Sequence, residues 1–312
     1  MSCVLVTGAA GFVGSHLVEH LAGRHDLRAW ARSTPPPLEL DPLATWAPID
    51  LLDRDEVRRA IREARPDAVY HCAGAPHVGD SWHNTSEPLA QNVRTTHHLL
   101  DAVRRANVRC RVLITGSGTV YAPSAAPLRE DDAIGPSSPY ALSKLAQEQL
   151  GWRGWMEDGI EVVLTRAFNH TGTRQRPVFS APSFARQIAL IERGGQEPRI
   201  KVGNLEAQRD FTDVRDVVRA YALLMEGGTP GTIYNVASGV PRRIRAVLDG
   251  LAQRSRIPVE IAVDAARLRP NDTPVLVGDA SRLRGATGWT PQISFDRMLD
   301  DLLEYWRAAV RT

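Results

Sequence analysis

The sequence predicts an α/β fold built on a doubly wound parallel sheet, with a smaller C-terminal domain interleaved with it. Two observations carry this expectation. Short apolar runs alternate with helical patterns from residue 3 to about 115, and a glycine triplet lies between the first run and the first helix. The segments follow in order as Val4–Thr7, Gly14–Ala22, Leu27–Ala31, Asp55–Ala64, Ala68–Cys72, Leu89–Ala106 and Arg111–Thr115. Alternation of this kind implies parallel strands with helices on both faces, because each crossover must return along one face of the sheet. The next helix is expected from Ser138 to about Glu157, opened by Ser-Ser-Pro as a cap with proline near the first turn. A buried strand over Val162–Ala167 follows it.

Beyond Phe168 the pattern loosens into a Pro- and Arg-rich stretch, with a helix at about Pro182–Arg193 and a short strand near Arg199–Val202. A second alternation returns with a helix at Val214–Met225 and a strand at Thr232–Val236. Helices near Ile244–Arg254 and Asp296–Arg311 complete the chain. The expected division is a large sheet domain over 1–167, with 212–237 returning to it, and a smaller domain made of 168–211 and 238–312. The segment Thr34–Pro42 reads as a surface loop.

Composition narrows the class. The 312 residues are 43% hydrophobic and 24% charged, ample for a large core. Net charge is +2 with both signs interspersed, which argues against a nucleic-acid-binding face or an acidic tail. Cys3, Cys72 and Cys110 fall in strand segments and are read as reduced core thiols of a cytosolic protein, not as disulfides or a metal site. The N-terminal run lacks a basic flank and is broken by glycines, so it is not read as a signal peptide. No apolar run approaches the length of a membrane span.

Thr7-Gly8-Ala9-Ala10-Gly11-Phe12-Val13-Gly14 follows a strand and opens a helix. That context makes the triplet a dinucleotide cradle of the Rossmann type: Gly8 for the tight turn, Gly11 for approach of the pyrophosphate, Gly14 for helix–strand packing. The backbone at Phe12 and Val13 belongs to the same cradle, where the helix N-terminus favours an anion. The second strand ends in Ala31-Arg32-Ser33 with no acid to bond a ribose hydroxyl. A guanidinium followed by a hydroxyl suits a 2′-phosphate, so NADP is favoured over NAD. Arg32 could instead stack on the adenine or face solvent, which keeps NAD as the alternative. Asp50, with Leu51, and Asp53 are candidates to contact the adenine, or else loop and cap residues.

Tyr140 and Lys144 lie four apart on the expected helix, one turn apart on one face. An ammonium there is expected to lower the phenol pKa and make it a usable acid or base. Ser117 leaves the C-terminal end of the strand before that helix and is a natural second donor to the reacting oxygen, or a turn residue bonding its own backbone.

With these residues in view the chain resembles an extended short-chain dehydrogenase/reductase acting on nucleotide sugars. The matching motifs are Gly8-x-x-Gly11-x-x-Gly14, His71-Cys72-Ala73-Gly74, Asn92-Val93, Ser117 four residues before Tyr121, Tyr140-x-x-x-Lys144 and Arg166-Ala167-Phe168-Asn169. Further on come Arg209-Asp210-Phe211, Tyr234-Asn235-Val236, and Arg269-Pro270 leading to Gly278-Asp279 and Gly288-Trp289. The resemblance implies that Ser117, Tyr140 and Lys144 are the catalytic triad, that Ala73 and Gly74 border the cofactor, and that Asn92 supports the active helix through a water or a backbone contact. It implies that Asn169 and Arg209 contact a substrate diphosphate and Arg269 the nucleotide end. Arg209 could instead pair with Asp213. Arg186 could contact substrate or face solvent.

Among relatives, Ala167-Phe168-Asn169-His170-Thr171-Gly172 followed by Phe184-Ala185-Arg186 resembles most the reductases of GDP-4-keto-6-deoxymannose. The implied reaction is NADPH-dependent reduction at C4, with GDP favoured and UDP or dTDP as other carriers. Thr119 stands where sugar 4,6-dehydratases need an acid, which argues against dehydration; the reductase group tends to have an acid there too, whereas many 4-epimerases have Ser or Thr, which keeps a 4-epimerase with tightly bound NAD as the rival. In the same comparison, Thr173-Arg174-Gln175-Arg176 replaces a more typical Pro-Gly-Gln. An idle dinucleotide-binding regulator is the alternative from another class. Relatives in the nucleotide-sugar group usually dimerise through the Tyr–Lys helix and the helix before it, so the resemblance implies a homodimer.

Overall fold

The computed structural model describes residues 2–32, 38–76, 79–267 and 273–311. The chain opens with β1 (Cys3–Thr7), α1 (Phe12–Leu21), β2 (Asp26–Ala31), β3 (Thr45–Pro48), α2 (Arg54–Ala64) and β4 (Ala68–His71). Two short turns, α3 (Asp80–His83) and α4 (Ser86–Pro88), lead through a π-helical turn at Leu89–Arg94 into α5 (Thr95–Arg105). Then come β5 (Arg111–Ser117), α6 (Pro139–Asp158), β6 (Glu161–Ala167), β7 (His170–Thr171), α7 (Ser180–Glu192) and β8 (Arg199–Val202). They are followed by β9 (Gln208–Asp210), β10 (Thr212–Asp213), α8 (Val214–Gly227), β11 (Ile233–Val236), β12 (Pro241–Arg243) and α9 (Ile244–Gln253). The last elements are β13 (Glu260–Val263), β14 (Val275–Leu276), α10 (Ser281–Thr287) and α11 (Phe295–Ala309).

Seven strands form one sheet in the order β11-β6-β5-β4-β1-β2-β3, with every pairing parallel. The order reverses between β1 and β4, the switch point where ligands settle at the C-terminal strand ends of such sheets. One face is filled by Val4, Val6, Leu17, Val217, Tyr221 and Trp289 under α1 and α8. The opposite face is filled by Leu5, Val69, Ile114, Val57, Ile61 and Leu99 under α2 and α5. A separate core joins α7, β8, α9 and α11 through Phe184, Ile188, Val202, Leu248, Leu299 and Leu302.

Local chemistry sets the helices that matter for the site. Asp53 opens α2 by accepting from the amides of Asp55 and Glu56, both at 3.0 Å, the cap role that the sequence offered as its other reading. Ser138 caps α6, accepting from the Ala141 amide at 3.1 Å, with Pro139 as the first helical residue. The helix ends at Gly159, whose φ of 67° lies in the left-handed region.

Three boundaries differ from the sequence expectation. β5 runs on through Gly116 and Ser117 because these residues still pair with Arg166 and Ala167 of β6. The helix expected over Leu89–Ala106 begins instead as a π turn. Leu276, Ala280, Leu283 and Trp289, expected with the smaller domain, pack in the core under α1 and α8. In the described part of the proline-rich segment, Leu38, Glu39, Asp41 and Pro42 are exposed, in keeping with a surface loop, and Leu40 is buried and anchors it.

Candidate active site

The cradle between β1 and α1 is shaped for close approach. Gly8 has φ +66°, and a Cβ on it would lie 2.8 Å from the Ala73 backbone; a Cβ on Gly14 would overlap the Gly8 carbonyl. The Gly11 amide donates to that carbonyl at 2.9 Å, and α1 starts without a side-chain cap. First-turn amides and the helix dipole therefore face the turn, the arrangement that binds a phosphate. The Phe12 ring stacks on His170, with centroids 5.8 Å apart, and Val13 packs against the sheet core. What these two can offer a dinucleotide is their main-chain N–H.

A cleft of about 360 Å³ opens beside the cradle, with Gly8, Gly11, Arg32, Asp50, Leu51 and Gly74 among its lining residues, a size suited to a small-molecule cofactor. Arg32 is exposed on its wall. Asp50 also lines it, while its carboxylate accepts from the Leu52 amide at 2.9 Å. Ser33 and Arg269 lie outside the described residues. Cys72, expected in the core, lines the cleft with Ala73 because β4 ends one residue before it.

Ser117, Tyr140 and Lys144 come together where β5 ends against α6. All three are nearly buried, at 7%, 9% and 7% exposure. Ser117 Oγ is 2.9 Å from Thr119 Oγ1, accepts from the Thr119 amide at 3.2 Å, and is a hydrogen-bonding neighbour of the Tyr140 phenol. The expected lowering of the Tyr140 pKa by Lys144 is not met. Burial pushes the phenol up to about 12, opposed by the Ser117 hydrogen bond. Lys144 Nζ instead donates to the Thr115 carbonyl at 2.9 Å and to Gln147 Oε1 at 2.8 Å. Burial brings Lys144 down to about 8, with the neighbouring Cys72 acting the other way. The site thus offers a protonated phenol beside a hydroxyl, with a cation one helical turn away.

Asn92 is completely buried and ties the cleft to α6. Its Nδ2 donates to Ser143 Oγ at 2.8 Å, and its Oδ1 accepts from the Ala75 amide at 2.9 Å. Support of the active helix is therefore a direct side-chain contact to a hydroxyl, with a backbone link on the other side. Asn92 lies within the π turn at Leu89–Arg94.

A family model for GDP-mannose 4,6 dehydratase matches residues 5–302. The chain belongs to this family. GDP-6-deoxy-D-mannose reductase of Pseudomonas aeruginosa is 36% identical over 311 residues, covering 99% of this chain and 98% of that protein. The solved structure of RMD from Pseudomonas aeruginosa complexed with NADPH superimposes with a TM-score of 0.86 at 34% identity, covering 99% of this chain and all of that one. The UDP-glucose 4-epimerase of Thermus thermophilus in complex with NAD gives a TM-score of 0.88 at 28% identity, covering 98% and 99%. The fold and the resemblance drawn from the motifs agree with these similarities.

The residues expected at the substrate side are spread. Asn169 and Arg186 are exposed. Arg209 is buried, with Nη1 donating to the carbonyls of Gln208 at 2.8 Å and Thr273 at 2.7 Å. Asp213 pairs with Arg215 at 2.8 Å, so the ion pair considered for Arg209 is made by another arginine. Sequence reasoning missed Arg176, which lines the cleft. It arrives there on a loop anchored by Arg174, whose φ is 64° and whose guanidinium bonds Ser15 Oγ at 3.0 Å, His16 Nδ1 at 2.9 Å and Glu19 on α1. Its signal is the departure from the family pattern at Thr173-Arg174-Gln175-Arg176, which by itself gives no placement.

Proposed function

We propose that the protein is an NADPH-dependent reductase of a nucleotide-diphosphate 4-keto-6-deoxyhexose, with a GDP-sugar as the favoured substrate. The observation that carries this reading is similarity along 99% of the chain to a GDP-6-deoxy-D-mannose reductase. The electrostatics of the site support the same direction, because reduction needs a phenol that still holds its proton, and burial keeps Tyr140 protonated. Bound NADPH supplies the hydride. Ser117 polarises the C4 carbonyl, and Tyr140 gives its proton to the oxygen that becomes the alcohol. Lys144 holds a positive charge beside the developing alkoxide and can donate to the nicotinamide ribose. Thr119 has no carboxyl proton to give to a departing hydroxyl, which argues against dehydration at this site.

The residues present fit NADP. Gly8, Gly11, Gly14 and the amides of Phe12 and Val13 cradle the pyrophosphate, while Asp50, Leu51, Ala73, Gly74 and Asn92 border or brace the rest. Arg32 is assigned to the 2′-phosphate. Arg32→Ser is expected to weaken NADPH binding about 30-fold, the value of a charge-assisted pair, with NADH affinity nearly unchanged. Fluorescence titration of both nucleotides checks it. Asn169, Arg186, Arg209 and Arg269 are the residues proposed for the substrate diphosphate and nucleotide.

A 4-epimerase is the second reading, favoured by Thr119 and by likeness to the NAD-bound epimerase. Stoichiometry separates the two: the reductase oxidises one NADPH for each 4-keto sugar nucleotide consumed, whereas an epimerase turns over with no cofactor added. Release of tightly held NAD from the denatured protein would overturn the reductase reading.

The protein is proposed to act in the cytoplasm, where its three free thiols stay reduced. No described helix is long and apolar enough to cross a membrane. On α6, Leu142, Trp152 and Met156 are exposed at 52%, 44% and 55%. This apolar face is proposed to pair with a second copy, and sedimentation at twice the monomer mass checks it.

A further inference from the structure

A line of hydrogen bonds runs through the sheet core behind the candidate site, and its direction is determined by proton counting. Thr7, His71, Thr96 and Gln147 all have 0% exposure. Thr7 Oγ1 lies 2.8 Å from His71 Nδ1, and His71 Nε2 lies 2.9 Å from Thr96 Oγ1. Gln147 Nε2 lies 2.9 Å from the same Thr96 oxygen, and Gln147 Oε1 lies 2.8 Å from Lys144 Nζ. Thr96 has one hydroxyl proton, and it goes to the Asn92 carbonyl at 2.7 Å. Every other partner of that oxygen must therefore donate to it.

Two assignments follow. The imidazole carries its proton on Nε2, so Nδ1 is the acceptor and Thr7 is its donor. A neutral ring is what a fully buried histidine near Lys144 should have, and burial followed by the Lys144 charge brings His71 down to about 3. The Gln147 amide must turn its NH2 to Thr96, which leaves its carbonyl oxygen facing the ammonium. With the Thr115 carbonyl at 2.9 Å as second acceptor, two of the three Nζ donors are committed to the protein, leaving one for a bound ligand.

We infer that Gln147 is a positioning residue for Lys144, its amide held in one orientation by the Thr7–His71–Thr96 chain so that its carbonyl oxygen fixes the ammonium one helical turn from Tyr140. This rests on the reading of Tyr140 and Lys144 as the proton-handling pair. The consequence is mechanical as well as electrostatic. β1, which leads into the phosphate cradle, and α6, which carries the pair, are joined through β4 and α5 by a polar line with one allowed direction. A displaced Lys144 would lose register with Tyr140, and misplacement of about 1 Å costs on the order of 100-fold in rate.

The test is steady-state reduction of a GDP-4-keto-6-deoxyhexose by NADPH with four variants of the full chain. Gln147→Met keeps the volume of the side chain without an acceptor, whereas Gln147→Glu keeps an acceptor for the ammonium. Gln147→Met is expected to lose about 30-fold in kcat. Gln147→Glu is expected to regain at least about fivefold over it, since a charge-assisted bond to Lys144 is restored. Thr96→Val, which removes the group that orients the amide without touching α6, is expected to lose about fivefold and decides the matter if Gln147→Met does not fold. A packing role gives the opposite order, because methionine fills the buried space and a carboxylate is costly there; kcat higher in Gln147→Met than in Gln147→Glu overturns the inference. Wild-type kcat in Thr96→Val also overturns it. Lys144→Met separates the two levels: if it turns over normally, the reading of the Tyr140–Lys144 pair fails, whereas an inactive Lys144→Met beside a fully active Gln147→Met removes Gln147 alone.

Discussion

Tyr140→Phe is expected to lower kcat for reduction by about 1,000-fold while NADPH affinity is retained, the loss appropriate to a positioned general acid. The ring is 9% exposed, so phenylalanine keeps its packing and removes only the oxygen. That oxygen holds the proton the product needs. Its pKa, pushed up to about 12 by burial, keeps the phenol protonated at neutral pH, and the Ser117 hydroxyl beside it supplies a second donor to the same carbonyl. Without the phenol, the developing alkoxide depends on Ser117 and Lys144 for stabilisation and on solvent for its proton. Residual turnover then reflects hydride orientation together with the stabilisation that Ser117 and Lys144 still give. Steady-state kinetics with a parallel NADPH titration checks both halves, and unchanged turnover in Tyr140→Phe would remove proton transfer from this residue.

The parts legible in the sequence are those whose signal is local. Strands such as Val4–Thr7 and Val162–Ala167 open on apolar runs because both sheet faces are covered, so composition marks them. The cradle is marked by three glycines at fixed spacing after a strand, and the Tyr140–Lys144 pair by its helical spacing. Membership of the nucleotide-sugar family was legible because the motifs recur in order along the whole chain, in agreement with a family match over residues 5–302. What escaped depends on tertiary placement. No local pattern says that Leu89–Arg94 winds as a π turn, or that Asn92 reaches Ser143. The short strands β9, β12 and β14, of two or three residues, are too brief to show a period. The phenol electrostatics failed for a related reason: helical spacing gives proximity of Tyr140 to Lys144, but the desolvation that dominates their proton affinities arises only when β5, α5 and α6 close over them.

Glu148→Ala should destabilise the fold by about 3–5 kcal/mol, the cost of leaving a buried charge without its partner. Arg166 and Glu148 are 4% and 2% exposed, and two parallel bonds of 2.7 Å join Nε to Oε2 and Nη2 to Oε1. Burial acts to lower the arginine pKa, yet the Glu148 carboxylate outweighs it and the guanidinium stays charged. Its remaining contacts cannot replace the carboxylate: Nη1 donates to the Glu130 carbonyl at 3.0 Å, and the guanidinium carbon sits 4.6 Å from the Tyr121 ring centroid. Tyr121 in turn donates to Asn235 Oδ1 at 2.7 Å, so the disturbance reaches β11. Urea unfolding measures the loss. Glu148→Leu combined with Arg166→Met is expected to cost less than Glu148→Ala alone, since removing both charges leaves neither stranded. A double variant less stable than the single one would mean that the pair stabilises α6 against β6 beyond mutual neutralisation. Because Glu148 follows Lys144 by one helical turn, that outcome would make the ion pair the anchor that sets the height of the proton-handling residues above the sheet.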